Sequence, residues 1–178
     1  MQEPDPRTVS AARRGDLGAF EEIVRRYQAD VWRLCFHLVR DETLADDVTQ
    51  DAFVRLFRFL PRYRGDSKFT TWLFSVVRNC ALDELRRAER RRRTKDRVIA
   101  EPQRASADIG TALEVREALG NLAPLFREAV VLIDMFGLSY REAAAICDAP
   151  VGTVKSRVHQ ARRMLAASLL EGEETGEA

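Results

Sequence analysis

GLSYREAAAICDAPVGTVKSRVHQARRML, residues Gly137 to Leu165, reads as a helix, a tight turn and a second helix. Gly137 suits the left-handed residue that closes a preceding helix. Ser139 and Glu142 have the spacing of a capping box, in which each side chain satisfies a free N–H at a helix start. Ala143, Ala144, Ala145 and Ile146 carry the first helix, and Asp148, Ala149 and Pro150 break it, because a proline pushes the residue before it out of helical geometry. The second helix is expected from near Thr153. Along it Val154, Val158, Ala161 and Leu165 recur at steps of four, three and four, which is one apolar face. Lys155, Ser156, His159, Gln160 and Arg163 occupy the opposite arc. On a solitary amphipathic helix such an arc is ordinarily solvated. In a two-helix unit with a short break it is the surface that enters the major groove. There, hydrogen-bonding groups read base edges while bare charge finds phosphate.

The rest of the chain supports a nucleic-acid reading through where its charge lies, not how much there is. Its 178 residues suffice for one medium domain or two small ones, and 29 basic against 28 acidic residues leave a net charge of +1. The signs are segregated. Arg86, Arg87, Arg90, Arg91, Arg92 and Arg93 form a dense block, Lys155, Arg157, Arg162 and Arg163 add a second, and Glu171, Glu173, Glu174 and Glu177 make an acidic tail that is expected to fray. Such segregation points to local polyanion-binding surfaces. Cys35, Cys80 and Cys147 are far apart, with no Cys-x-x-Cys, so neither a disulfide framework nor a zinc site is supported. Each reads as a small buried hydrophobe, consistent with a reducing cytoplasm. Met1 to Pro6 is polar and unlike a secretion signal, and the longest apolar run, Ala129 to Ile133, is too short to span a bilayer, so no membrane insertion is expected.

Apolar residues repeat at helical spacing nearly everywhere and no alternating strand pattern is found, so the fold class is all-α. Phe20, Ile23, Val24, Tyr27, Val31, Leu34 and Leu38 trace one buried stripe. Thr43 and Asp46 have capping-box spacing before a helix that buries Ala45, Val48, Ala52 and Leu56. A turn at PRYRGDS, Pro61 to Ser67, precedes a helix with Phe69, Leu73, Val76 and Cys80 inward. The pattern fades between Thr94 and Gly110 and returns with Leu113, Leu119 and Leu122. Pro124 then fits the first turn of a helix carrying Leu125, Ala129, Leu132 and Phe136 on one face. The expected organisation is a helical domain at 8–93, a flexible linker at 94–111, a helix-turn-helix domain at 112–170 and an acidic tail at 171–178.

Two further surfaces stand out. Asp47, Gln50, Asp51, Val54 and Arg58 lie opposite the core stripe of their helix. They read either as a solvated acidic face or, with Val54 and Phe53 nearby, as a docking surface for a basic partner. Trp72, Asn79, Asp83 and Arg86 share a stripe at the rim of the next helix, with Tyr63 and Arg64 in the turn before it. Rings that stack, polar groups that read edges and arginines that hold phosphate can receive an unstacked base. Trp72 is equally readable as a core residue. His37 and His159 form no ligand cluster, and there is no phosphate loop or nucleophile–base spacing, so no catalytic residue, metal or cofactor is expected.

On these residues the chain resembles a known family. The segments FEEIVRRY and DDVTQDAFVRLFRFLPRYRGDSKFTTWLFSVVRNCALDELRR resemble region 2 of bacterial sigma factors, and LAPLFREAVVLIDMFGLSYREAAAICDAPVGTVKSRVHQARRML resembles region 4. The short linker is similar to that of the extracytoplasmic-function (ECF) group of the sigma-70 family. The resemblance implies a cytoplasmic, non-enzymatic transcription initiation factor. It would bind core RNA polymerase through the β′ clamp helices and β flap, recognise promoter DNA, help melt it, and be restrained by an anti-sigma factor. Asp47, Gln50, Asp51 and Val54 would contact polymerase. Tyr63, Arg64, Asp66, Trp72, Asn79 and Asp83 would hold the −10 element, with Arg78, Arg86 and Arg87 near phosphates. Lys155, Ser156, His159 and Gln160 would face −35 bases, and Thr153, Arg157, Arg162 and Arg163 would favour phosphates. The linker would thread the RNA-exit path. His159 and Gln160 stand where the family often has an aromatic residue or arginine, so the promoter sequence is not inherited. The residues also fit two rivals: a helix-turn-helix regulator with a helical effector domain, and a helical adaptor without a DNA role.

Overall fold

In the computed structural model, residues 2–94 and 111–176 are described. The expected linker lies, for residues 95–110, outside the described residues. The chain divides into two compact units between Gln103 and Arg104, and all described elements are helical.

In the first unit, α1 spans Pro6–Arg13, α2 Leu17–Val39, α3 Glu42–Phe59 and α4 Phe69–Thr94, with a 3-10 turn at Leu60–Arg62. Helix α1 escaped the sequence reading. Asp5 caps it by accepting the Arg7 N–H at 2.7 Å, Pro6 occupies its first turn, and Val9 and Ala12 are buried. Asp16 caps α2 by accepting from the Ala19 N–H at 3.0 Å. Ile23, Tyr27, Val31, Leu34 and Leu38 are buried as expected, joined by Cys35. Phe20 and Val24 are only half-buried. Phe20 instead sets its ring edge against Phe57 of α3, with centroids 4.9 Å apart.

The capping box expected at Thr43 and Asp46 is not formed. Helix α3 starts earlier, and Asp41, in extended geometry, accepts from the Leu44 N–H at 2.7 Å. Thr43 thus falls inside the first turn, and the Asp46 carboxylate is released to accept from Trp32 Nε1–H at 2.6 Å. Ala45, Val48, Ala52 and Leu56 form the core face of α3. Helix α4 packs against both α2 and α3, so its buried face is wider than one stripe: Phe69, Leu73, Phe74, Val77, Cys80 and Ala81. Val76, expected inward, is half-buried beside Val77, which takes the core position. Burying side chains as large as Leu56, Leu73 and Phe74 is worth about 1.5–3 kcal/mol each.

In the second unit, α5 spans Thr111–Asn121, α6 Pro124–Val130, α7 Tyr140–Cys147 and α8 Val151–Gly176, with a π-helical turn at Val131–Met135 after α6. Arg127 is buried, and its guanidinium donates to the carbonyls of Gly120 and Leu122, both at 3.1 Å, which clamps the α5–α6 turn. Leu125, expected on the inner face, is 51% exposed at the first turn of α6, while Ala129, Leu132 and Phe136 of that face are buried. Gly137 adopts φ +65, a conformation that strains any side chain. The capping box at α7 forms as read: the Glu142 N–H donates to Ser139 Oγ at 3.2 Å, and the Ser139 N–H donates to Glu142 Oε2 at 2.8 Å. Asp148 ends α7 in the left-handed region at φ 50.

Helix α8 begins two residues before the expected Thr153, because the Pro150 carbonyl accepts the Thr153 and Val154 N–H groups at 2.9 and 3.1 Å. Val154, Val158 and Ala161 are buried, and Leu165 is half-buried. The tail expected to fray from 171 is helical to Gly176.

Candidate nucleic-acid interface

Three surfaces carry the sequence-derived site residues. Asp47, Gln50, Asp51 and Val54 are all exposed on α3, and Val54 keeps 47% of its surface in water. Beside them a shallow depression between α2 and α3 is lined by Gln28, Thr49, Gln50 and Phe53. The face is acidic with an apolar rim, the composition that a cationic protein surface can cover.

The second surface is the turn before α4 together with α4 itself. Tyr63, Phe69 and Trp72 form a ring cluster: Tyr63 and Trp72 lie 5.0 Å apart, Phe69 and Trp72 5.8 Å, and Tyr63 meets Phe69 edge-on at 5.7 Å. Trp72 is therefore neither core nor free; one side packs and the other faces a groove. The Tyr63 hydroxyl donates to the Ser67 carbonyl at 2.6 Å, closing the loop on itself, and Gly65 turns it with φ 82. Burial, with the Glu3 charge behind it, raises the Tyr63 pKa, so this hydroxyl stays a donor. Arg64 and Asp66 project into solvent from the loop.

Arg55, Phe59, Arg62, Trp72, Val76 and Asn79 line the groove. Asn79 is exposed there and is well placed beside Trp72, whereas Asp83 is not an open acceptor. Arg55 Nη1 donates to Asp83 Oδ2 at 2.8 Å, and Arg86 reaches Asp83 Oδ1 at 3.4 Å. The Arg55 hydrogen bond holds the Asp83 carboxyl below its ordinary range. Arg87 and Arg91 both pair with Glu84. The arginine ends of these pairs are exposed, whereas Glu84 keeps only 16% of its side chain in water. Arg78 is half-buried on α4. The sequence reading missed Arg55, Phe59 and Arg62, although their spacing of four and three places them on one flank of α3 and its 3-10 extension.

The third surface is α8. Lys155, Ser156, His159, Gln160 and Arg163 are exposed together on the arc opposite the core, with Thr153 and Arg157 half-buried at its flank. Two members are engaged. Lys155 Nζ sits 5.8 Å over the Tyr140 ring of α7, and the Ser156 hydroxyl donates to the Thr153 carbonyl at 2.9 Å, which leaves its lone pairs as acceptors. Arg162, though exposed, is held by Asp134: Nε to Oδ2 at 3.0 Å and Nη2 to Oδ1 at 2.5 Å. The fork ties α8 to the π-helical turn and neutralises part of its charge.

Cys35, Cys80 and Cys147 are buried and outside any disulfide, and burial pushes the first two thiols up to about 12 and about 11. They are inert packing groups. Among the described residues no cluster of His, Cys, Asp and Glu could hold a metal, and no helix is long and apolar enough to cross a membrane.

Residues 23–91 match the family Sigma-70 region 2, and residues 112–165 match Sigma-70, region 4. The chain is 35% identical over 170 residues to the ECF RNA polymerase sigma factor SigC of Mycobacterium tuberculosis, covering 93% of this chain and 91% of that protein. This chain belongs to the sigma-70 family. It falls in the ECF group, and it is a sigma factor that directs RNA polymerase to promoters. The ECF RNA polymerase sigma-E factor of Escherichia coli K12 is 34% identical over 172 residues, covering 88% of this chain and 90% of that one. Two solved structures share the fold. RpoE in complex with the anti-sigma factor NepR from Bartonella quintana has a TM-score of 0.76 at 29% identity, covering 84% and 96% of the two chains. CnrH in complex with the cytosolic domain of CnrY has 0.70 at 30%, covering 93% and 96%. Family membership sets aside both the effector-binding regulator and the adaptor. The α3 face, the loop and α4 up to Arg91 lie within the region 2 match, and α8 up to Leu165 lies within the region 4 match; α1 precedes both.

Proposed function

We propose that this sigma factor divides its work among the three surfaces, acting in the cytoplasm without catalysing a reaction itself. Asp47, Gln50, Asp51 and Val54 dock on the β′ clamp helices of core polymerase, and the region 4 unit meets the β flap. Tyr63, Arg64, Asp66, Trp72 and Asn79 receive the separated −10 strand. Arg78, Arg86 and Arg87 track its phosphates, and Asp83 orients Arg55 at the groove. Lys155, Ser156, His159 and Gln160 face −35 bases, with Thr153, Arg157 and Arg163 toward phosphate and Arg162, held by Asp134, a weaker phosphate contact.

The observation that carries this reading is the half-buried Trp72, backed by Tyr63 and Phe69 and facing a groove with Arg55, Arg62 and Asn79 on its walls. An aromatic platform beside an amide and guanidiniums stacks, reads and neutralises one unpaired nucleotide. Each domain alone binds DNA weakly, and mounting both on one polymerase raises their effective concentration. That both solved relatives were captured with a second protein supports an anti-sigma partner here too. The test is assembly of the purified chain with core polymerase, followed by footprinting on genomic promoter fragments. Protection of two blocks upstream of the start site is expected. A chain that does not join core polymerase, or a holoenzyme that protects neither block, refutes the reading.

A further inference from the structure

Gln2–Asp5 lies ahead of the region 2 match, yet it is pinned to the start of α4. The Glu3 carboxylate accepts the Phe69 N–H at 2.8 Å, the Thr70 N–H at 3.3 Å and the Thr70 hydroxyl. The two N–H groups are among the orphan donors of the first helical turn. The residue that would cap α4 locally is Lys68, whose carbonyl accepts the Trp72 N–H at 3.1 Å. A lysine side chain carries only donors and cannot cap. Glu3 supplies the missing acceptor from 66 positions away in the chain.

The segment itself is fastened to α2. The Tyr27 hydroxyl donates to the Gln2 carbonyl at 2.8 Å, and Arg26 donates to the Glu3 carbonyl at 3.2 Å. Burial pushes the Tyr27 hydroxyl up to about 12, so it remains a donor at any working pH. Just beyond, α1 packs against the 3-10 turn at Leu60–Arg62. The N-terminal residues therefore brace the Tyr63–Ser67 loop at both ends, with α1 at its entry and Glu3 at its exit. Phe69, whose N–H Glu3 holds, is the ring that touches both Tyr63 and Trp72.

We propose that Glu3 is a positioning residue for promoter opening: by capping α4 where Lys68 cannot, it fixes Phe69 and thereby the Tyr63–Trp72 pair in the arrangement that receives an unstacked base. This rests on the reading of Trp72 given above. Glu3 touches no DNA in this role, and its effect runs through the rings.

The test uses full-length Glu3→Ala, Glu3→Gln, Trp72→Ala and the Glu3→Ala/Trp72→Ala double variant as holoenzymes on a linear genomic promoter fragment that supports run-off transcription. Glu3→Ala should lower open-complex formation about fivefold, the scale of one lost cap, with core-polymerase affinity unchanged. Glu3→Gln, which keeps one acceptor oxygen for the Phe69 N–H and puts an amide NH2 where the other oxygen stood, should recover only part of the loss. The double variant should open no worse than Trp72→Ala alone, since effects that share a path do not add. In a Trp32→Phe background Trp72 is the one tryptophan left, and Glu3→Ala should shift its fluorescence to the red. Normal opening by Glu3→Ala beside a defective Trp72→Ala overturns the role of Glu3 and leaves the base-holding site standing. A loss of opening matched by an equal loss of core binding, or an additive double variant, reduces Glu3 to a structural cap and also overturns it. Normal opening by Trp72→Ala removes the site itself, and the role of Glu3 with it.

Discussion

Arg55 of α3 donates a 2.8 Å hydrogen bond to Asp83 of α4, joining the two helices along the groove that Trp72 faces. The pair is part-exposed, so it contributes about 0.5–1 kcal/mol at most. Its larger consequence is geometric, because it holds the Arg55 guanidinium along the groove wall and ties the Asp83 carboxylate to α3.

Because Arg55 depresses the Asp83 pKa, the stability from this carboxylate is fully present above its unfolded value, about 3.9. It is lost as pH falls from there through the lower folded value. Asp83→Asn should therefore melt slightly below wild type at pH 7, and the gap should narrow progressively below about pH 4. Thermal melts across that range check it; a gap independent of pH means the ion pair is not the cause.

Asp51→Lys reverses a charge in the middle of the exposed α3 face without touching the core stripe. The melting temperature should stay within about 2–4 °C of wild type, since surface substitutions usually cost under about 0.5 kcal/mol. Affinity for core polymerase should fall at least tenfold. Titration with labelled core enzyme measures it, and unchanged affinity would detach this face from polymerase.

The apolar faces of α3 and α8 were legible because a buried helical stripe repeats locally: Ala45, Val48, Ala52 and Leu56, or Val154, Val158 and Ala161. The outer arcs follow from them by exclusion. Helix α1 was equally legible in principle, through Asp5 before Pro6 and the buried Val9 and Ala12, but it is short. What the residues did not disclose were roles set by distant partners. Thr43 and Asp46 have capping spacing, yet Asp41 wins the helix start and Asp46 turns to Trp32. Asp83 is paired with Arg55, 28 positions earlier, a partner that its stripe on α4 does not disclose. Arg162 is paired with Asp134 across the same interval, again out of reach of a local pattern.

Asn79→Ala should impair strand opening more than initial duplex binding, because Asn79 sits on the groove wall and not on α8. Loss of one polar contact to a base costs about 1 kcal/mol, or roughly fivefold in open complexes. Permanganate reactivity of unpaired thymines reports the opening, and equal reactivity at equal occupancy would take Asn79 out of the site.

Arg162 and Arg163 should behave differently despite being neighbours. Arg163→Ala should lower the salt slope of −35 binding by about one contact, since Arg163 is exposed on the reading arc. Arg162→Ala should change the slope less and lower the melting temperature instead, through its lost pairing with Asp134. Affinities from about 50 to 200 mM salt separate the two; identical slopes for both variants would make Arg162 a full phosphate contact.

Lys155→Ala removes an ammonium that bridges Tyr140 and the outer arc of α8. If it reads a base, discrimination at one −35 position should drop by about 1–3 kcal/mol while other positions are unaffected. Competition among single-base promoter variants resolves this, and an unchanged preference at every position removes Lys155 from the reading set.

The most direct measurement of the whole account is run-off transcription by purified core polymerase on genomic promoter fragments, with this chain and with its Trp72→Ala and Lys155→Ala variants. Discrete transcripts should depend on the chain and be weakened by either substitution. Core polymerase that initiates at the same sites without it, or that gains no defined start sites when it is added, contradicts the account.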